Sequence, residues 1–188
     1  MAIAISQTRE QFPLSTRKII KKTLTSTIGW IILFFIIFVV LAVILLSSGS
    51  SGFNYFGLIA IGILIFLLVI IFLTYLYQQW YFDVYFYDLT PDYIVIKKGP
   101  ITPREITIPY ERVQDVYVDQ DLFDRVFGIF DVHLSSATIS SGMEAHIDGV
   151  EQQAAEGLRG LLLKTVSEKI TRAKNPVQGV PQPPNVNS

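Results

Sequence analysis

Two uninterrupted apolar runs dominate the first part of the chain, and a period of two dominates the remainder. From Ile28 to Leu46 the sequence IGWIILFFIIFVVLAVILL carries no charge, and from Phe56 to Leu73 FGLIAIGILIFLLVIIFL does the same. At about 1.5 Å of helical rise per residue each run covers about 27 to 30 Å, the hydrocarbon thickness of a bilayer. A core helix of that length in a soluble protein would show a polar stripe, and neither run does. The pattern predicts a transmembrane helical hairpin over 28–77, with spans at 28–46 and 56–77 turned by the small polar residues of SSGSSGFNY. A cleaved signal peptide fits less well: the first run exceeds a signal core in length, and a polar stretch of 27 residues precedes it.

After Trp80 the period changes. FDVYFYDL sets Phe82, Val84 and Phe86 against Asp83, Tyr85 and Tyr87, which predicts a strand. TPD turns the chain, YIVIKK resumes the strand pattern and GPITP breaks it. REITIPY and RVQDVYV come next, on either side of Pro109, which cannot donate to a ladder. DLFDRVFG obeys another logic: Asp121 caps a helix of one or two turns, Leu122, Val126 and Phe123 face inward, and Gly128 suits the exit. IFDVHLSSA alternates Ile129, Asp131, His133 and Ser135 with Phe130, Val132, Leu134 and Ser136, so one face is buried and the other wet. TISSG leads to a short strand, MEAHIDG. An amphipathic helix then starts near Val150, in which Ala154, Ala155, Leu158, Leu161, Leu162, Thr165, Val166, Lys169 and Ile170 recur at steps of three and four, leaving Leu163 out of phase. The tail, 174–188, has four prolines and no charge in NPVQGVPQPPNVNS and is expected to be disordered.

Charge adds an orientation. Arg9, Arg17, Lys18, Lys21 and Lys22 precede the first run, whereas the loop between the runs has no basic residue. Basic flanks resist translocation, which makes 1–27 a cytosolic basic segment and returns everything after Tyr77 to the cytosol. The expected location is the cell membrane, as a multi-pass protein with both termini cytosolic. Trp30, Tyr75, Tyr77, Trp80 and Tyr81 are expected at one membrane interface, where amphipathic rings prefer to sit. Residues 78–188 hold ten basic and fifteen acidic side chains, a balance that argues against nucleic acid as a partner. The chain has no cysteine, so thiol chemistry is excluded.

The order of about six or seven antiparallel strands and one closing helix, with ITPREITIPYERVQDVYVDQDLFDRVFGIFDVHLSSA at its centre, resembles the bacterial pleckstrin-homology-like domains of the YdbS type. The similar features are YDLTPDYIVIKKG, the strand entry IPYERVQDV, the short helix ending RVFG and the strand that closes on small residues. The resemblance covers about 80–173 and extends to the paired spans ahead of it. It implies an α+β, mainly β, PH-like antiparallel sheet barrel capped by the C-terminal helix and tied to the membrane. It implies no catalytic reaction. Eukaryotic lipid-binding relatives hold inositol phosphates with Lys and Arg near the first strand turn; here that turn carries Asp88 and Asp92, which repel a phosphate.

Candidate chemistry is sparse. If the first strand leaves the membrane, the second returns Lys97 and Lys98 toward it, and Arg104 begins the third near the same end. These three are the candidate contacts for anionic lipid headgroups, each worth about 1 kcal/mol near the surface. Glu111, Asp115, Asp119, Asp121 and Asp124 form a candidate acidic face for a protein partner. The Asp119, Asp121 and Asp124 spacing lacks the pattern of a calcium loop, and His133 and His146 lack a third ligand at a telling interval, so no metal is expected. Ser135, Ser136, Ser140 and Ser141 lie near His133 without a nucleophile-elbow pattern. No enzyme activity and no cofactor are expected, and the spans carry none of the ionisable groups a transport path needs. The expected function is a membrane-anchored interaction or scaffold module that recruits or assembles with a protein partner; the alternative is a sensor of anionic lipid. Homo-oligomerisation is left open.

Overall fold

An apolar run without hydrogen-bonding side chains satisfies its backbone most completely as a helix, and the computed structural model has two such helices, each longer than its apolar run. The structure describes residues 6–47, 50–136 and 145–174. A short helix α1 (Gln7–Gln11) precedes α2 (Arg17–Ser47) and α3 (Ser50–Val84). The long pair lies antiparallel, with Phe34 edge-on to Phe66 at 5.3 Å and Phe38 tilted against Phe56 at 5.4 Å between ring centres. Both pass the length and composition test for crossing a membrane.

Among the described residues six strands come after the helices: β1 (Phe86–Leu89), β2 (Tyr93–Lys98), β3 (Arg104–Pro109), β4 (Val113–Asp119), β5 (Ile129–Ser136) and β6 (Ala145–Glu151). They form two three-stranded antiparallel sheets, β1-β2-β3 and β4-β5-β6. A 3-10 turn (Tyr110–Arg112) joins the sheets, α4 (Leu122–Phe127) separates β4 from β5, and α5 (Gln152–Lys174) closes the body. Ala155, Leu158 and Leu162 of α5 pack with Tyr85, Tyr87, Ile94, Ile96, Val116, Val132 and Ile147 into one core. Leu163, off the apolar phase, is exposed as its position predicts.

The stretch ahead of the first apolar run is woven into this body. Ser6 caps α1 by accepting from the Arg9 N–H, and donates to the Tyr87 carbonyl at 2.6 Å. Leu14 makes an isolated antiparallel bridge to Val150, with the Ser15 N–H on the Gly149 carbonyl at 2.7 Å. Phe12 lies so close to Gly157 that a methyl group there would stand 2.5 Å from its ring. The polar stretch from Ser6 to Lys22 thus packs on sheets built from residues far along the chain.

Several expectations change in the fold. The spans expected at 28–46 and 56–77 are the apolar middles of longer helices, because nothing in TRKIIKKTLTST or QQWYFDV breaks a helix already under way. The strand expected from Phe82 begins at Phe86, and Phe82 to Val84 close α3. Tyr85 and Tyr87, on the face that the alternation shares with Asp83, are fully buried. Aromatics occupy both faces of FDVYFYDL, so the alternation had no polarity; the hydroxyls decide, because each finds an internal acceptor, Tyr85 at the His146 carbonyl (2.8 Å) and Tyr87 at the Phe12 carbonyl. In β5 a bulge between Phe130 and Asp131 shifts the phase, burying Ile129 together with Val132 and Leu134. In α4 the caps at Asp121 and Gly128 are as expected, Gly128 in the left-handed region at φ 64°, and Asp124 adds the second half of a capping box with Asp121. Its orientation is not. Leu122 and Val126 point out, and Asp124 points in. The connection at 138–142, with Ser140 and Ser141, and the tail from 175 lie outside the described residues.

Candidate functional site

The chemistry of this molecule concentrates where the long helices meet the sheets. Lys18, in the first turn of α2, is buried with its ammonium 3.2 Å from Asp148 Oδ2 and 3.0 Å from the Asp148 carbonyl, and 3.9 Å from the centre of the Tyr85 ring. Gly149 permits this approach. At φ 79° it adopts a conformation side chains rarely take, and a methyl group there would lie 2.7 Å from the Lys18 Cδ. Tyr85 also donates to Asp148 Oδ1 at 3.2 Å, while Lys22 and His146 stand at 3.6 and 3.4 Å from that carboxylate. Burial pushes the Asp148 carboxyl up, but the charges of Lys18, His146 and Lys22 outweigh it and hold it well below the usual carboxylate range.

One turn further along α2, Lys21 reaches α4. Its ammonium pairs with Asp121 Oδ2 at 2.8 Å and with the buried Asp124. Asp124 thus has two tasks, closing the capping box of α4 and neutralising a buried lysine, which is why it turns inward at the expense of Leu122 and Val126. At the other end of α4 the Arg17 guanidinium donates to the Phe127 carbonyl at 3.2 Å. Asp131, opposite Asp148 across β5 and β6, accepts from the Gly149 N–H at 2.7 Å. Burial, followed by the charges of Asp148 and Asp124, pushes its carboxyl up to about 6. The opening turns of one long helix are therefore locked to β6 and to both ends of α4. Sequence reasoning read these lysines only as a topology signal; Lys18 and Lys21 at a spacing of three, each awaiting an acid more than 100 positions away, offer no local sign of pairing.

The basic hairpin takes a different form. Lys98 lies opposite Arg104 in the β2–β3 register, and Lys97 opposite Glu105, with which it forms an exposed ion pair at 3.1 Å. The register of β1, Phe86 opposite Lys97, brings this end of the hairpin back beside the end of α3. Lys98 is half-buried and its ammonium pKa is lowered, chiefly by burial.

The acidic residues are not one surface. Glu111 and Asp115 are exposed on the 3-10 turn and β4. Asp119 pairs with His133 Nε2 at 3.1 Å, Asp121 is engaged by Lys21, and Asp124 is inside. His133 and His146 do lie side by side on β5 and β6, their rings stacked at 5.4 Å with Tyr117 stacked on His133 at 4.9 Å. Among the described residues no group of three His, Asp or Glu side chains is arranged to hold a metal.

The aromatic residues of the two helices spread along their axes. With Phe34 level with Phe66, Trp30 is level with about residue 70, and Trp80 stands about 15 Å beyond it, near Ile20 and Lys21. Trp30, Tyr75, Tyr77 and Trp80 are exposed, while Tyr81 packs partly against the sheet core.

The family model described as Bacterial PH domain matches residues 23–166. The chain belongs to that family. The matched region begins inside α2, so the family pattern itself includes the long helices as well as the sheets. No curated protein and no solved structure matches the sequence. Membership in the bacterial PH domain family supports a membrane-associated interaction module in general, and domains of this kind are typically non-catalytic.

Proposed function

We propose that this chain is a membrane-anchored PH-like interaction module of the YdbS type. In this reading α2 and α3 cross the cell membrane as a hairpin, both termini are cytosolic, and the sheet body stands at the inner leaflet, where it recruits or assembles with a protein partner. One observation carries the reading: Lys18 and Lys21 join the first turns of α2 to β6 and to α4 through buried ion pairs. A loosely tethered domain needs no such root. A body rooted in this way keeps one orientation toward the bilayer, which presents a fixed face to a partner at low ordering cost.

Glu111, on the connection between the sheets, and Asp115, near the start of β4, are exposed acidic side chains, and a basic partner segment is the complement they favour. A photo-crosslinking residue replacing Gln114, between them, in native membranes tests this. A discrete protein adduct that disappears in Glu111→Lys with Asp115→Lys is expected; labelling of lipid alone overturns partner recruitment. Protease digestion beyond Trp80 in inside-out but not right-side-out vesicles is expected for the topology, and the reverse pattern overturns it.

The cross-strand pair Lys98 and Arg104 beside the end of α3 favours the second reading, a sensor of anionic lipid. Replacement of Lys97, Lys98 and Arg104 by Gln removes any dependence of domain orientation on anionic lipid under that reading; unchanged dependence discards it.

A further inference from the structure

We propose that the body is seated on the bilayer by apolar side chains on two sides of the helical pair, Leu122 and Val126 of α4 beside α2 and Ile101 of the β2–β3 tip beside α3. The inference rests on insertion of the hairpin. Leu122 is 81% exposed and Val126 76%, one helical turn apart and therefore on one face. A short surface helix in water turns its apolar residues in and its acid out; α4 does the opposite at all three positions. That inversion is disfavoured against water and favoured against an apolar layer.

The ion pairs fix where α4 stands. Its first turn is held by Lys21 and its last by Arg17, so it runs antiparallel to α2 with Leu122 at the end nearer the apolar run. Ile28, where that run begins, is seven residues beyond Lys21, or about 10 Å. The exposed Trp80 stands at about the same level on α3 as Lys21, a depth that suits an interfacial ring. On α2 the exposed Ile20, Leu24 and Ile28 continue the apolar surface from the span down to α4 at steps of four. The patch on α4 is thus the lower edge of the lipid-facing surface, and the headgroup layer is its occupant.

Ile101 repeats the arrangement on the other side. β2 runs back toward α3, and the tip from Gly99 to Pro103 passes beyond the Phe86 level set by Lys97. Gly99, at φ 97°, makes the turn, and a methyl group there would stand 2.5 Å from the Thr102 carbonyl oxygen. Ile101 is 70% exposed at its apex, with Lys98 and Arg104 behind it. An apolar tip backed by cations matches a surface that is greasy inside and anionic at its rim.

The absence of cysteine makes the test direct. Single variants Leu122→Cys, Val126→Cys and Ile101→Cys of the full chain, with Leu64→Cys in the hairpin and Tyr93→Cys at the far end of β2 as references, are spin-labelled. Each is reconstituted in vesicles of phosphatidylcholine and phosphatidylglycerol. The ratio of collision with oxygen to collision with a water-soluble nickel chelate is then read for each label. Several-fold higher ratios at 122, 126 and 101 than at 93 are expected. A ratio at 122, 126 or 101 equal to that at 93, with the label at 64 buried in lipid, overturns the seat and leaves the hairpin standing. Protection of 122 and 126 from both reagents means that protein covers α4 and also overturns it. A water-exposed label at 64 removes the hairpin reading, and the seat with it.

Discussion

The first turns of α2 and the tip of the β2–β3 hairpin each carry a cluster of basic side chains, and the clusters have opposite fates. Lys18 and Lys21 are buried, each paired with a carboxylate from a distant element, and Lys18 also lies over an aromatic ring. Lys97 and Arg104 remain in solvent, where the Lys97 pair with Glu105 is screened. Composition does not separate the two. What does is the partner: a lysine is buried only where a buried acid waits for it, as Asp148 waits for Lys18 beside the open approach that Gly149 leaves. The first cluster joins the long helices to the sheet body, and the second stays at the molecular surface.

The sharpest break of this contrast is at Asp148. Asp148→Ala strands the ammonium of Lys18 in the interior, with an expected loss of about 3 to 5 kcal/mol in denaturation of the detergent-solubilised chain. Combining Lys18→Met with Asp148→Leu is expected to recover most of that loss, since neither charge is then buried alone. A single variant as stable as the native chain would remove the root as an anchor.

Acid titration separates the partly buried Asp131 from the buried Asp148. The Asp131 carboxyl titrates at about 6 in the folded chain, above its value of about 3.9 when unfolded. The folded state therefore binds the extra proton, and stability is expected to rise as pH falls from 7 to 4, by roughly 2 to 3 kcal/mol at most. Asp148 behaves in the opposite way. Its depressed carboxyl contributes stability that is complete above about pH 4 and lost as pH falls below it. Asp131→Asn is expected to abolish the rise and keep the acid loss; a flat profile between pH 7 and 5 in the native chain contradicts the raised carboxyl of Asp131.

A smaller effect is expected where the N-terminal stretch meets α5. Gly157→Ala puts a methyl group against the Phe12 ring and is expected to cost about 1 to 3 kcal/mol, partly relieved by Phe12→Leu. Protease sensitivity near Phe12 would report the same release.

The smallest effect belongs to the exposed cluster. Lys97→Gln with Arg104→Gln is expected to change stability by under about 1 kcal/mol. A loss comparable to that of Asp148→Ala would mean that the hairpin cations are as integral to the fold as Lys18, and the contrast would fail.

Local chemistry was readable and directions were not. The caps of α4 are legible in Asp121 and Gly128, which stand within eight residues, and the inner face of α5 in the spacing of Ala155, Leu158 and Leu162. Which way α4 faces depends on Lys21, 103 positions from Asp124, and that separation leaves no periodic trace. The FDVYFYDL segment carried aromatics on both faces, so only the acceptors at Phe12 and His146 could choose between them.

By itself the sequence determined the two apolar helices, the succession of antiparallel strands, the closing helix and the family, because each depends on the spacing of neighbours or on a pattern read along one segment. Only the tertiary structure decided that the polar stretch before the first helix belongs to the sheet body, that Asp124 lies inside and Leu122 outside, and that two lysines alike in sequence to those of the hairpin are buried. The reason is that burial of a charge is settled by a partner in space. A carboxylate arriving from 103 or 130 positions away offsets the desolvation of a lysine, and no property of the lysine's own segment foretells it.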